Sequence, residues 1–151
     1  MICMDKALDV AKFIVNKTEG MTNLKLQKTL YYLYVLFYRK YRKDLFNENF
    51  KALQYGPVVI DVYNYFNVYG SRQLFSPTPE KLALSEEEMD FLISMSKKLS
   101  NYNVWDLVES IHRYSPWNGK SMNQIITKEE IKNYHTDNKP IKMYKGISNA
   151  G

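Results

Sequence analysis

Few side chains in this sequence could carry out nucleophilic catalysis. The chain of 151 residues has one cysteine, Cys3, and two histidines, His112 and His135. A cysteine–histidine pair would require Cys3, close to the amino terminus, to fold back onto a histidine far along the chain. The six glycines stand isolated at positions 20, 56, 70, 119, 146 and 151, which argues against a glycine-rich phosphate loop. We therefore expect this protein not to be an enzyme.

Metal and acid–base chemistry find little support in the spacing of the polar residues. Cys3, His112 and His135 lack the paired spacing of zinc ligands. An acidic cluster, Glu86–Glu88 with Asp90, has the composition of an acid–base or magnesium site. The same residues follow Ser85 and make a favourable first turn of a helix, and this interpretation is preferred. The sequence therefore predicts no metal and no cofactor.

A basic run at residues 39–43 offers a different chemistry, the binding of nucleic acid. Lysine and arginine beside tyrosine could bind phosphates while the rings stack on bases. The competing interpretation is a solvated helix end, where positive charge suits the helix dipole. The candidate residues for this alternative are Arg39, Lys40, Arg42 and Lys43.

The overall charge adds little support for a nucleic-acid partner. Lysine and arginine outnumber aspartate and glutamate 21 to 16, a formal net charge of +5. Three of these lysines, Lys139, Lys142 and Lys145, lie after residue 138, so that residues 1–138 hold 18 basic and 16 acidic residues. The longest apolar run, Leu30–Tyr38, is too short to cross a bilayer, which takes about 20 residues. With no recognisable export signal either, we expect a cytoplasmic protein.

Hydrophobic periodicity predicts the elements that would position these residues. Apolar residues at three- and four-residue spacing after Asp5 predict a first helix capped by Asp5 and ending near Gly20. A second helix, capped by Thr22 and closed by the basic run, has two adjoining apolar stripes, which indicates a helix buried on much of its girth. The sequence thus predicts a mainly α, single compact multi-helix domain over residues 1–138, with a central buried helix and a basic, flexible tail over residues 139–151.

Turn and capping signals complete the predicted element order. Residues 44–55 alternate loosely and could form short strands or a β-hairpin. Gly56-Pro57 is interpreted as a helix start, because proline is well tolerated at the first helical position. Further helices are predicted after the capping boxes at Ser85 and Thr127 and between residues 103 and 111.

Three segments of the sequence resemble a known family. Asn23–Tyr32 (NLKLQKTLYY), Phe50–Val59 (FKALQYGPVV) followed by Val62-Tyr63, and Leu107–Trp117 occur in the order and spacing found in the Panacea domain. This domain occurs in SocA-like antitoxins and in phage-associated GepA-like proteins, and the resemblance extends over roughly residues 5–135. It implies a mainly helical antitoxin that neutralises a cognate toxin by direct protein contact, with the toxin usually encoded beside it and often on phages or other mobile elements.

The resembling segments and the tyrosine-rich composition supply the candidate contact residues. The chain has 13 Tyr, 7 Phe and 2 Trp, and 13 of these 22 aromatic residues lie between Tyr31 and Tyr69. Tyrosine anchors interfaces through a rigid surface with a polar tip. The candidates for partner binding are Lys25, Gln27, Lys28, Tyr32, Tyr55, Gly56, Pro57, Tyr63, His112 and Trp117.

Several of these candidates also have a purely structural interpretation. Lys25, Gln27 and Lys28 are predicted on the outer face of the second helix, as surface or as contact residues. Tyr55-Gly56 could present backbone N–H groups beside Lys28 as an anion-binding notch, if the glycine–proline pair is more than a helix start. Trp117 is expected to fill the core beside His112.

Overall fold

A computed structural model describes residues 4–77, 81–135 and 141–142. Over these residues it contains six α-helices and three short strands. The helices are α1 Ala7–Lys17, α2 Asn23–Tyr41, α3 Ile60–Phe66, α4 Glu86–Ser100, α5 Val104–Arg113 and α6 Lys128–Tyr134. The strands are β1 Phe50–Leu53, β2 Gly56–Val58 and β3 Ile125–Ile126. The predicted mainly α fold is confirmed. Cys3 and nearly all of the predicted tail lie outside the described residues.

The second helix is the centre of the fold, as its two apolar stripes predict. Helix α2 packs against α1, α3, α4, α5, α6 and strand β2. Every residue from Leu26 to Phe37 is buried. Its amino terminus is capped by the Thr22 hydroxyl, which accepts from the Lys25 N–H. Its carboxyl end closes at Arg42 in the left-handed conformation, with φ of 56°.

Aromatic rings from α2, from β1 and from the segment between them form much of the core. Tyr31 packs edge-on against Phe50 with ring centroids 5.6 Å apart, and Tyr34 packs against Phe46 at 5.4 Å. Buried tyrosines need a partner for the hydroxyl, and Tyr34 donates to the Asp44 carboxylate at 2.7 Å. Most tyrosines of α2 are therefore core residues.

Two helix starts differ from the sequence prediction. Helix α1 begins after Lys6, not Asp5, and the Glu48 carboxylate accepts from its first N–H, that of Ala7, at 2.9 Å. The Asp5 carboxylate instead accepts from the Ala83 N–H. A distant acid has thus taken the place of the local cap. The capping boxes at Ser85 and Thr127 are confirmed.

The interpretation of Gly56-Pro57 as a helix start is wrong. These residues form strand β2, and α3 begins only at Ile60. The sheet has the order β2-β1-β3 with antiparallel pairing, Ala52 facing Pro57 and Phe50 facing Ile126. Proline fits because β2 is an edge strand, where a missing N–H leaves no ladder bond unmade. Of the strands expected within residues 44–55, β1 is present and its two partners lie outside that range.

Within the described residues, no helix is both long and apolar enough for a bilayer crossing.

Candidate functional site

The three sequence segments singled out above meet at one place in the fold. Lys28 of α2 donates a hydrogen bond to the Pro57 carbonyl of β2 at 3.1 Å. The indole N–H of Trp117 donates to the Leu53 carbonyl of β1 at 2.8 Å. Since Trp117 also stacks on His112 of α5, the β1–β2 turn lies between the second helix and the fifth. We refer to this junction of α2, the β1–β2 turn and α5 as the lysine junction.

Lys28 is the most unusual residue of the lysine junction because it is fully buried. Its side chain is 0% exposed, and burial lowers the pKa of its ammonium to about 7. Desolvation is the cause, since burial penalises the charged form. At neutral pH the protonated and the neutral form of Lys28 are therefore close in free energy.

Gly56 makes room for this lysine. Its φ is +116°, a conformation that L-residues rarely adopt. A Cβ at this position would lie 2.8 Å from the Lys28 Nζ, closer than any real contact. The glycine is therefore required twice, for the backbone of the turn and for the space that the ammonium occupies.

A chain of buried amides ties the start of α2 to the start of α3. Gln27 accepts from the Val59 N–H at 3.0 Å and donates to the Asn23 side chain at 3.1 Å. Asn23 in turn donates to the Tyr63 carbonyl at 3.1 Å. Helix α3 lacks a side-chain cap at Val59, so Gln27 satisfies a backbone donor that would otherwise be orphaned. Gln27 is thus a structural residue.

His112 and Trp117 close the lysine junction on the other side. Their rings are parallel within 7° and their centroids lie 3.9 Å apart. Burial and the nearby Lys28 lower the pKa of His112, with Glu109 opposing. Its Nε2 is buried and has no hydrogen-bond partner among the described residues. Both effects favour the neutral ring, which packs flat against the indole. Trp117 thus lies beside His112 as the sequence predicts, but it is half-buried and packs against the core instead of filling it.

An open pocket of about 600 Å³ lies beside the lysine junction. Its walls come from the start of α2, the β1–β2 turn, α3 and the segment before β3. The described lining residues are Thr22, Asn23, Leu24, Gln27, Lys28, Leu53, Gln54, Tyr55, Val58, Tyr63, Asn67, Gly70, Ser71 and Met122. Four of the predicted contact residues, Gln27, Lys28, Tyr55 and Tyr63, therefore share one pocket.

The rim of this pocket is apolar and exposed. Tyr55 is 44% exposed and packs edge-on against Trp105, which is 53% exposed, with ring centroids 5.3 Å apart. Met122, which also lines the pocket, is 57% exposed. Large apolar side chains clustered at the surface are typical of protein-binding sites. We call Tyr55, Trp105 and Met122 the aromatic rim.

Tyr32, Gln27 and Lys28 are not the outward-facing residues that the sequence predicts. Tyr32 is 2% exposed, and its hydroxyl hydrogen-bonds to Ser110 of α5. The prediction fails because neighbours surround α2 on all sides between Leu26 and Phe37, which leaves no outer face in that stretch. Lys25, one turn earlier, is half-buried and donates to the Ser100 carbonyl at the end of α4.

The basic run is held by contacts within the fold. Lys43 forms an ion pair with Glu88 at 2.5 Å, and Lys40 lies over the rings of Tyr41 and Phe91. Arg42 lies over the ring of Tyr38. The acidic first turn of α4 thus faces the basic run and offsets its charge, which favours a helix end over a phosphate-binding surface.

The acidic cluster itself is used by the fold. Glu88 closes the capping box of α4 and, with Lys43 and Ser85 as partners, keeps the pKa of its carboxyl below the usual value, although burial opposes this shift. Among residues 4–77, 81–135 and 141–142, no three histidine, cysteine or acidic side chains are grouped as metal ligands.

Two members of the rim were not anticipated from the sequence. Trp105 follows the Asn103 cap at the start of α5, whose buried residues are Leu107, Val108, Ser110 and Ile111. A tryptophan outside the apolar stripe of such an amphipathic helix is a readable signal for an exposed anchor. Met122 carries no comparable signal, since it lies in a turn without periodicity.

Comparison with known proteins gives one match. A family model described as "Antitoxin SocA-like, Panacea domain" matches residues 26–118, more than half of the chain. The matched region begins in α2 and ends just after Trp117, so it contains every member of the lysine junction. No curated protein and no solved structure matches the chain.

Proposed function

This chain belongs to the SocA-like antitoxin family with a Panacea domain, and we propose that it neutralises a cognate protein toxin by direct contact. In this proposal the toxin is encoded by a neighbouring gene, on a phage or another mobile element. The protein acts by occupying or distorting a surface of the toxin and performs no reaction of its own.

The observation that supports a contact mechanism is the exposed aromatic rim beside an open pocket. Tyr55 and Trp105 pack edge-on against each other, and this contact reduces the side-chain entropy that is lost when a partner covers them. Tyrosine and tryptophan are also the residue types that most often dominate the binding energy of interfaces. The rim therefore has the composition and exposure that a toxin-binding surface requires.

The lysine junction supports the rim from beneath. Tyr55 precedes Gly56 in the turn that Lys28 and Trp117 hold from two sides. A fixed turn presents its tyrosine in one orientation, which lowers the entropic cost of binding. In this proposal the residues of the family segments act mainly by positioning the surface that binds.

Coexpression with the product of the neighbouring gene tests this function. We expect that product to arrest growth when it is produced alone, and this chain to restore growth and to co-purify with it. Tyr55→Ala combined with Trp105→Ala should weaken the complex by at least tenfold and abolish the rescue.

Tyr65→Ala is the matched control. Tyr65 is 48% exposed, close to the value for Tyr55, but it lies under Lys12 of α1 and does not line the pocket. This variant should rescue growth as the unaltered protein does. A neighbouring product that is harmless, or one whose toxicity persists without a complex, would refute the proposal.

Binding of nucleic acid through residues 39–43 and the lysine tail is the second candidate function. A gel-shift series in increasing salt tests it, because each phosphate contact contributes to the salt dependence. We expect Arg39→Ala together with Lys43→Ala to leave any binding, and its salt dependence, unchanged.

A further inference from the structure

The lining of the pocket beside the lysine junction contains a basic residue and no acidic one among the described residues. Lys28 is the charged residue among them. The remaining walls are amide, hydroxyl and apolar groups. A pocket of this composition has no internal partner for its own positive charge, so its lining favours an anion.

Lys28 lacks a counter-ion among the described residues. Its one hydrogen bond there goes to the Pro57 carbonyl, although an ammonium has three N–H donors. Strand β2 brings no charged side chain to it, and α5 brings His112, which can only add positive charge. Buried lysines are normally paired with a carboxylate, since an unpaired charge is costly to desolvate.

The start of α2 adds to the positive potential. This helix has 19 residues, no acidic residue in its first turn, and Lys25 and Lys28 in its first two turns. Acidic residues are favoured at a helix amino terminus and basic ones are not. Thr22, Asn23 and Leu24 line the pocket, so the amino terminus of α2 forms part of its wall, while Lys25 is directed to the Ser100 carbonyl. Departures of this kind are typical of binding sites.

We propose that this pocket receives the carboxylate of an aspartate or glutamate side chain of the toxin, which pairs with Lys28 when the complex forms. The inference rests on the proposed function and names the chemistry of the partner at this surface. Leu24 and Val58 line the pocket and would pack against the methylene groups of the acidic side chain, while the aromatic rim covers the residues on either side of it.

The bound state requires a small rearrangement of Lys28. In the free protein its side chain is fully buried against Gly56, so the ammonium must turn from the Pro57 carbonyl toward the pocket. Its four-carbon chain has the rotatable bonds for this movement. The protein exchanges a hydrogen bond to a neutral carbonyl for an ion pair with a carboxylate, in which both partners are charged.

Isothermal titration of the neighbouring gene product with the purified full-length chain tests the inference. Lys28→Met keeps the volume of the side chain and removes the charge, and we expect it to weaken binding by at least tenfold. Lys97→Met, on an exposed position of α4, should bind as the unaltered chain does.

Proton uptake gives a second measurement that a merely structural role of Lys28 would not produce. At pH 8 the free lysine has mostly lost its proton, since burial lowers its pKa to about 7. Pairing with a carboxylate restores the charged form, so the complex should take up a proton and its affinity should fall as the pH rises from 7 to 9. In Lys28→Met both effects should be absent.

Substitutions in the toxin identify the source of the carboxylate. Each aspartate and glutamate is changed to its amide. One such change should weaken binding to the unaltered chain and leave binding to Lys28→Met unchanged. A complex that Lys28→Met does not weaken, or one that responds only to removal of the toxin's terminal carboxylate, would overturn the inference and leave the proposed function intact. The absence of any complex would instead refute the proposed function.

Discussion

Replacing the buried Lys28 by methionine should make this protein more stable at neutral pH. In the folded chain the ammonium is fully buried and its pKa is about 7, against a model value of 10.5 for an unperturbed lysine. At pH values below 7 both the folded and the unfolded chain carry the proton, and the full cost of burying the charge is present. One pKa unit corresponds to about 1.4 kcal/mol, so this cost is about 5 kcal/mol.

The sign of the pH dependence follows from proton binding. Between pH 7 and 10.5 the unfolded chain holds the lysine proton and the folded chain has released it, so the free energy of unfolding rises with pH. From pH 7 to pH 9 the contribution of Lys28 to this rise is about 2 kcal/mol. Burial raises the pKa of tyrosines such as Tyr31. These tyrosines lower the free energy of unfolding as the pH rises, but only near pH 10 and above.

Urea denaturation followed by circular dichroism at pH 6, 7, 8 and 9 measures this effect. The unfolding free energy of Lys28→Met should exceed that of the unaltered chain by a few kcal/mol at pH 6, after allowance for about 1 kcal/mol from the lost hydrogen bond. The difference should shrink by about 2 kcal/mol between pH 7 and pH 9. Lys97→Met serves as the control and should show no such convergence. A difference that stays constant with pH, or a Lys28→Met variant that is less stable at pH 6, would refute the reasoning.

Three further substitutions test the supports of the lysine junction and of the fold. Gly56→Ala places a Cβ on a residue with φ of +116° and 2.8 Å from the Lys28 Nζ. It should lower the unfolding free energy measured in urea by about 1–3 kcal/mol. Unchanged stability would contradict the close packing of the turn. Trp117→Phe keeps an aromatic ring but loses the donor to the Leu53 carbonyl. We expect the free energy of unfolding to fall by about 1 kcal/mol, seen as a lower midpoint in thermal melting. A midpoint equal to that of the unaltered chain would argue against this hydrogen bond. Ser85→Ala removes the cap of α4 and should also cost about 1 kcal/mol by calorimetry, and the prediction fails if the variant melts like the unaltered protein.

Local signals predicted the helical elements well. The caps at Thr22, Ser85 and Thr127 depend on residues three positions apart, so the sequence shows each of them directly. The two apolar stripes of α2 likewise predicted its central position. These features need no knowledge of what lies elsewhere in the chain.

Features that depend on distant partners were not predictable in the same way. Gly56-Pro57 is compatible with both a helix start and an edge strand, and the choice is made by pairing with β1. Lys28 is buried because a carbonyl 29 residues away accepts its hydrogen bond and a glycine leaves room for it. Tyr32 was expected at the surface, but α5 covers this part of α2. Packing between two helices is a tertiary contact, which no local sequence pattern reveals.

Part of the candidate pocket was nevertheless anticipated from the sequence. Tyr55 and Tyr63 were selected as aromatic residues inside resembling segments, and both line the pocket. Trp105 lies within the matched region but outside the quoted segments, and Met122 lies beyond that region. A contact surface assembled from several elements is only partly visible in any one of them.

The position of the partners of α2 has a consequence for synthesis on the ribosome. The central helix is made well before α6 and strand β3, which pairs Ile126 with Phe50. Chains emerge at roughly 5–20 residues per second, so the apolar surface of α2 must wait several seconds for its last covering elements. During that interval the nascent chain exposes tyrosine-rich core surface, and it is expected to depend on chaperones while it is being translated.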